Sequence, residues 1–257
     1  MPKLEIFTSA SLQKQKLNSA RVLQQPLMHL GNFLPEFIQV QPFPMTVKDS
    51  KTRRYCLVNT AAASLYGLTP EAYNGFTFDD IAKLNGLNPN VIQNMAKWDM
   101  QVCLKKNSVQ FQQILLTCEQ FIRVETIVKQ PILDEHHQVI AILDSSQNHT
   151  PFADLNYLFA LYQQYHSTKL AIRHFLRYLE LEGYFYKFPT KQELITLLTL
   201  RKAVTAQQAA LKMGVSSRTV EEYKARLHCK LKVNLHELLF KLRACYEDQT
   251  LLTKVTH

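Results

Sequence analysis

Arg218, Glu221, Glu222, Lys224 and Arg226, with the small Ala225 among them, crowd the middle of the stretch GVSSRTVEEYKARLHCKL, residues 214–231. A guanidinium is a rigid fork of donors that matches paired acceptors, and a carboxylate accepts from amino groups. That chemistry is recognition. Catalysis would need a nucleophile beside a base, or carboxylates held at a working separation. No Ser/His/Asp order and no paired-carboxylate constellation can be argued from spacing anywhere in the chain, so an enzyme is not expected. His136 and His137 are adjacent in a turn, DEHHQ, without further ligands in view, and no metal site is assigned. The five cysteines (56, 103, 118, 229, 245) form no C-x-x-C pair and read as reduced thiols of a cytoplasmic protein.

The elements that hold those charges follow from the apolar pattern. Val220, Tyr223, Leu227 and Leu231 stand at i, i+3, i+7 and i+11, one stripe of a helix. Gly214 punctuates the chain ahead of it, and Ser216 or Ser217 can cap its start. Three capping boxes lie nearby: Thr190/Glu193, Thr205/Gln208 and Asn234/Glu237, each in phase with leucines or alanines. Four short helices are therefore expected, the second and third separated by a glycine turn in a helix-turn-helix arrangement. The charge follows the same division. Residues 1–150 hold 14 Lys+Arg against 12 Asp+Glu, whereas residues 187–243 hold 12 against 4. A basic module on a nearly neutral one points to a polyanion partner.

The run TAQQAALKMGVSSRTVEEYKARLHCKLKV resembles the LuxR-type DNA-binding domain, through Ala210, Gly214, Val215, Ser216, Thr219, Val220, Lys230 and Leu231. Met213, Ala209 and Tyr223 depart from the family's usual Leu, Ile and His. The resemblance implies an all-α four-helix domain over 187–248 whose third helix enters the major groove of double-stranded DNA. It places Arg218, Glu221, Glu222 and Ala225 at base edges, and Gln207, Ser217, Thr219, Lys224, Arg226 and Lys230 near phosphates. Glu221 and Glu222 have a second reading, as first-turn carboxylates that complement the helix dipole. The fourth helix, with Leu235, Leu238, Leu239 and Leu242, serves either dimerisation, as in the family, or simple core packing.

Residues 36–149 have another texture. FPMTV and YCLVN read as strands around the polar turn KDSKTRR, a long helix is expected over 88–107, and three strand-like runs close the segment. Two strands, helices and three strands is an α+β order. That order, with Pro42, Lys48–Asp49, Asn59, Gly67, Glu71, Gly75 and the Phe78–Asp79 region, resembles a PAS domain, which implies a five-stranded antiparallel sheet with helices, pairing, and a cavity for a small-molecule ligand. The resemblance names no cofactor. Haem held by histidine is argued against because 88–107 has none, and a flavin photosensor because the Asn–Cys–Arg–Phe–Leu–Gln run is missing.

Between the two modules, residues 150–186 carry Leu155, Leu158, Tyr162, Tyr165, Lys169, Ile172, Leu176 and Leu179 at heptad spacing. A coiled-coil linker that pairs two protomers through Leu155, Leu158 and Tyr162 is one expectation. Two packed helices broken at Ser167–Thr168 is the other. Residues 1–35 read as partly helical, 249–257 as a tail, and no run is long enough to span a membrane. The leading expectation is a dimeric transcription regulator with a PAS-like sensor. A lactone-responsive regulator is an alternative disfavoured because Trp98, the single tryptophan, is followed four residues later by Val102 and not tyrosine. A protein-interaction adaptor that never reads sequence is a third.

Overall fold

The computed structural model describes residues 33–252 apart from positions 86, 88 and 204. The expected helical pieces near Leu12, Leu17, Val22 and Leu23 lie outside the described residues, as does the end of the tail. The described residues divide into two compact units, one built from 33–119 with 125–148, the other from 120–124 with 149–252. The segment expected to be a free-standing linker therefore belongs to the same unit as the C-terminal helices.

The first unit is a PAS-like sheet. Helix α1 (Phe33–Gln39) precedes β1 (Met45–Asp49) and β2 (Tyr55–Val58); then come α2 (Thr60–Ser64), α3 (Pro70–Tyr73), α4 (Phe78–Asn85), α5 (Pro89–Lys105), β3 (Val109–Leu116), β4 (Ile122–Leu133) and β5 (Val139–Asn148). The antiparallel sheet runs β2-β1-β5-β4-β3. The β1–β2 turn is written by Asp49, whose Oδ1 accepts from the amides of Lys51 and Thr52 and from the Thr52 hydroxyl. Alternation then sorts the strands' side chains. Met45, Val47 and Ala141 pack with Ile38 of α1 on one face. On the other, Tyr55 and Val58 pack with Ala62, Tyr73, Phe78, Ile81 and Met95 of the intervening helices. Buried Asn59 ties the layers together: its Oδ1 accepts from the Ala62 and Met45 amides, while its Nδ2 donates to the Phe43 carbonyl at 2.8 Å.

The second unit opens on a 3-10 turn at Thr150–Phe152, followed by α6 (Leu155–Tyr165) and α7 (Thr168–Tyr178). Asp154 caps α6 by accepting from the Asn156 and Tyr157 amides. The chain turns extended at His166 and Ser167, so the heptad segment is a hairpin of two helices and not one coil. Phe175 of α7 meets Phe159 and Tyr162 of α6 with ring centroids 5.3 and 5.7 Å apart. The hairpin consumes the residues assigned to pairing: Leu155, Leu158 and Tyr162 are at most 2% exposed, and the Tyr162 hydroxyl accepts from the Ile122 amide. Exposing one such leucine costs about 1.5–3 kcal/mol. These side chains serve the unit's own core.

Four helices complete this unit: α8 (Lys191–Lys202), α9 (Ala206–Met213), α10 (Ser217–His228) and α11 (Leu235–Leu252). Each starts where a cap was read. Thr190 and Glu193 form a complete capping box, Thr205 Oγ1 accepts from the Gln208 amide, Ser216 Oγ from that of Thr219, and Asn234 Oδ1 from that of Glu237. Leu200, Ala203, Ala209, Ala210 and Val220 form the core where α8, α9 and α10 cross, with Leu239 packed against it. On α11, Leu235, Leu238 and Leu242 are buried, so of its two readings these three follow core packing. Arg243 of α11 donates to the carbonyls of Arg201 and Leu200 at the C-terminal turn of α8.

Candidate nucleic-acid interface and sensor cavity

Helix α9 ends and α10 begins within three residues because Gly214 adopts φ 66°, ψ 33°. In that left-handed conformation its amide donates to Leu211 O, and the Val215 amide reaches back to Ala210 O at 3.1 Å, closing the helix end. A Cβ at 214 would meet nothing within 4 Å, so the glycine is required by backbone angle and not by space. Ser216 then restarts the chain. Val220 and Leu227 are buried beneath α10, and this anchoring leaves Ser217, Arg218, Glu221, Glu222, Ala225 and Arg226 exposed. Gln207, in the first turn of α9, is exposed as well.

The charges on this face pair along the helix. Arg218 Nε lies 3.3 Å from Glu222 Oε1, and Lys224 Nζ lies 2.9 Å from Glu221 Oε2. The Arg218 side chain is nevertheless 90% exposed, so water screens the contact and a stronger acceptor can displace Glu222. Arg226 stacks its guanidinium 4.8 Å from the centroid of the half-buried Tyr223 ring, so the tyrosine supplies a platform that orients a cation. The Thr219 hydroxyl is 2.9 Å from Ser216 Oγ, at the cap. Lys230 stands apart from the set. Its Nζ pairs with Glu193, which is 2% exposed and whose carboxylate also accepts from the Thr190 amide. Burial pushes the Glu193 carboxyl up, but the Lys230 ammonium and the Thr190 amide hold it below the ordinary carboxylate range. Lys230 thus fastens α8 to the end of α10 in the free chain. Around it, the Tyr186 amide donates to Lys230 O and the Lys232 amide to Tyr184 O, a short ladder that fixes the chain before α8.

The first unit contains a feature that the sequence reading missed. On the helix-covered face, Thr46 is paired with Asp144, and Asp144 with Lys129, so Lys48, Asp144 and Lys129 project to the same side from β1, β5 and β4. Asp99 of α5 meets them from above. Lys48 Nζ is 2.7 Å from Asp99 and 3.0 Å from Asp144; Lys129 Nζ is 2.8 Å from each. Both lysines are at most 1% exposed. Burial pushes the Asp144 carboxyl up, and Lys129 and Lys48 more than reverse it. Lys129 occupies the same alternate row of β4 as buried Glu125 and Ile127.

Two small cavities border this quartet. One, of about 90 Å³, reaches Lys48 and Asp99; the other, of about 60 Å³, is walled by Tyr55, Tyr66, Tyr73 and Asp144. Phe78 and Met95 line both. Asp144 Oδ1 and Ser146 Oγ, on the second cavity, are buried acceptors without a hydrogen-bond partner. Burial holds the Tyr55 and Tyr73 phenols well above their ordinary pKa, so both remain donors. His136 and His137 lie exposed in the β4–β5 turn. No helix among the described residues is long and apolar enough to cross a membrane.

No protein-family model matches the sequence, and no curated protein matches it. Among solved structures, the chain is similar to VqmA of Vibrio cholerae in its complex with ligand and DNA, with 20% identity over 82% of this chain and 85% of that one, at a TM-score of 0.44. It is also similar to a phage VqmA in complex with DPO, with 19% identity over 86% of this chain and 90% of that one, at 0.41. The PAS domain of BvgS from Bordetella pertussis covers 52% of this chain with 94% of its own length, at 20% identity and 0.42. These similarities assign no residue of this chain a role.

Proposed function

We propose that this chain is a cytoplasmic regulator of transcription that reads double-stranded DNA with α10, and that a small molecule in the cavity of its PAS-like unit sets its affinity for that DNA. One observation supports it above the rest: Arg218, Glu222 and Ala225 lie exposed on the free face of a helix whose start is fixed by the Gly214 turn and whose opposite face is locked in the core. A guanidinium and a carboxylate one turn apart, with a small residue beyond them, match the donors and acceptors of adjacent base pairs in the major groove. Lys224 and Arg226 add positive charge at the flanks for phosphate. The reading takes the protein to act as a homodimer. The large apolar side chains left exposed on the second unit, and so available for pairing, include Leu211 at 85%, Tyr186 at 76% and Phe240 of α11 at 67%.

Control then follows from differential affinity. A ligand that favours one arrangement of two protomers raises or lowers the fraction able to bind both half-sites. The test is selection from a pool of randomised duplexes. The wild type is expected to enrich a paired motif, and Arg218→Ala to relax one position of each half-site while keeping the rest. Recovery of no motif by the wild type, with binding equal for all sequences, would remove the reading in favour of non-specific polyanion binding.

A further inference from the structure

A second cavity type lies on the C-terminal unit itself. Between α6, α8 and α9 a cleft of about 520 Å³ opens to solvent. Molecules of drug size occupy roughly 300–1,000 Å³. Its lining is mixed: Phe159 of α6, Ile195 of α8 and Met213 of α9 supply apolar surface, and Asn156, Gln163, Gln192 and Thr199 supply polar groups. Its rim is cationic, with Lys191, Lys202 and Lys212. Asp154 pairs with Lys202, while Lys191 has no ion-pair partner among the described residues, and Lys212 Nζ donates only to the Lys202 carbonyl, at 3.4 Å. Three ammonium groups around the cleft, answered by one carboxylate among the described residues, leave a positive field there. None of these residues belongs to the set placed at DNA above. The chain's own first 32 residues do not complement the cleft, since they carry Lys3, Lys14, Lys16 and Arg21 against Glu5 alone.

The geometry points to a binding site for a small amphipathic anion, an aromatic or aliphatic body bearing a carboxylate, sulfonate or phosphate group. The body lies on Phe159, Ile195 and Met213, and the anionic group meets Lys191 and Lys212. Met213 immediately precedes Gly214, so an occupant presses on the side chain next to the turn that orients α10. Binding there offers control of the reading helix independent of the cavity in the sheet unit. This regulatory half rests on the DNA-reading proposal; the binding half does not.

The experiment uses the full chain and 8-anilinonaphthalene-1-sulfonate, titrated by fluorescence, beside its uncharged analogue N-phenyl-1-naphthylamine. Lys191→Ala/Lys212→Ala removes two exposed cations and is expected to weaken the sulfonate at least tenfold while leaving the neutral analogue within twofold. Ala160→Trp, which fills the cleft from the exposed side of α6, is expected to abolish both signals. Arg218→Ala is expected to change neither, and circular dichroism melts check that each variant folds. The proposal is overturned if the wild type gives no saturable signal, or if the sulfonate affinity survives both cleft variants or falls equally with Arg218→Ala. It is also overturned if the lysine pair alters only duplex binding, since those cations then belong to the phosphate footprint. Duplex affinity, measured with and without saturating sulfonate, reads the regulatory half: a change in wild type that vanishes in Ala160→Trp supports it. Absence of duplex binding throughout removes the DNA proposal and leaves the site standing.

Discussion

Lys48, Asp99, Lys129 and Asp144 in the sheet unit, and Arg218, Glu222, Lys224 and Glu221 on α10, are both sets of two cations and two carboxylates. Their separations are comparable, 2.7–3.0 Å in the first and 2.9–3.3 Å in the second. The physics of the two sets is opposite. In the core each charge has given up most of its water, and the neighbouring charges, with the rings of Tyr55 and Phe111 near the two lysines, compensate for it, so the loss of one member is costly. On α10 the Arg218 and Glu222 side chains remain 90% and 55% exposed, so each pair is worth a few tenths of a kcal/mol and exchanges freely with solvent or a ligand. Contact distance does not distinguish a charge locked into the fold from one free to exchange partners. Burial does.

The strongest way to break that comparison is Lys129→Met. Removing one ammonium leaves Asp144 and Asp99 short of a counter-charge in a site where both lysines are under 2% exposed, and a loss of about 3–5 kcal/mol is expected in urea unfolding. The double variant Lys129→Met/Asp144→Leu retains the Lys48–Asp99 pair and is expected to recover most of the loss. A single variant as stable as wild type would mean that the quartet is hydrated and that burial is not the discriminating quantity.

Glu193 tests the same idea in the other unit. Glu193 is buried while its partner Lys230 is half-buried, so Glu193→Gln is expected to cost about 2 kcal/mol, less than a fully buried pair. The sign of its pH dependence follows from its lowered pKa. Its contribution is complete above the unfolded value near 4.5 and is lost as pH falls through the folded value. Acid titration of the unfolding free energy is therefore expected to be steeper below pH 4.5 in wild type than in Glu193→Gln.

These two cases also mark what could be read in advance. The five strands, the long helix and the four capped helices were legible because each is specified locally, by alternation, by a 3.6-residue stripe or by a cap with its partner three residues on. The partner of Lys230 was not legible because a lysine in a basic helix looks free until Glu193, 37 residues away, is seen beside it. The quartet was missed for the same reason, since its members come from three strands and a helix. The heptad spacing of α6 and α7 was real, but spacing does not say whether the apolar seam faces a second chain or folds back on itself. The extended backbone at His166–Ser167 decides for the second.

On the exposed set, Arg218→Ala is expected to leave the unfolding free energy within about 0.5 kcal/mol. It is expected to weaken binding to the selected duplex by about 1–3 kcal/mol, with the loss concentrated at one base pair of each half-site. Lys224→Ala, by contrast, is expected to weaken all duplexes alike and to flatten the salt dependence, as a phosphate contact does. If the two variants were indistinguishable across sequences, the face would be a cationic surface and not a reading surface.

The smallest effect sharpens the comparison most. Glu222→Gln removes the partner of Arg218 and is expected to change stability by no more than about 0.5 kcal/mol, as exposed i,i+4 pairs do. Its consequence for DNA separates the two readings of that carboxylate. As a helix-dipole complement it acts on α10 alone, and its amide variant binds every duplex slightly better, because one negative charge near the phosphates has gone. As a base acceptor it prefers a pair that presents a donor amino group, and Glu222→Gln shifts the preference at that position, since an amide both donates and accepts. The free chain holds Arg218 on Glu222, so in the second reading both groups exchange each other for base edges as the groove arrives. Both then become easier to assay in a Glu222→Gln/Arg218→Ala cycle, where non-additive binding and additive stability would place the coupling in the complex and not in the fold.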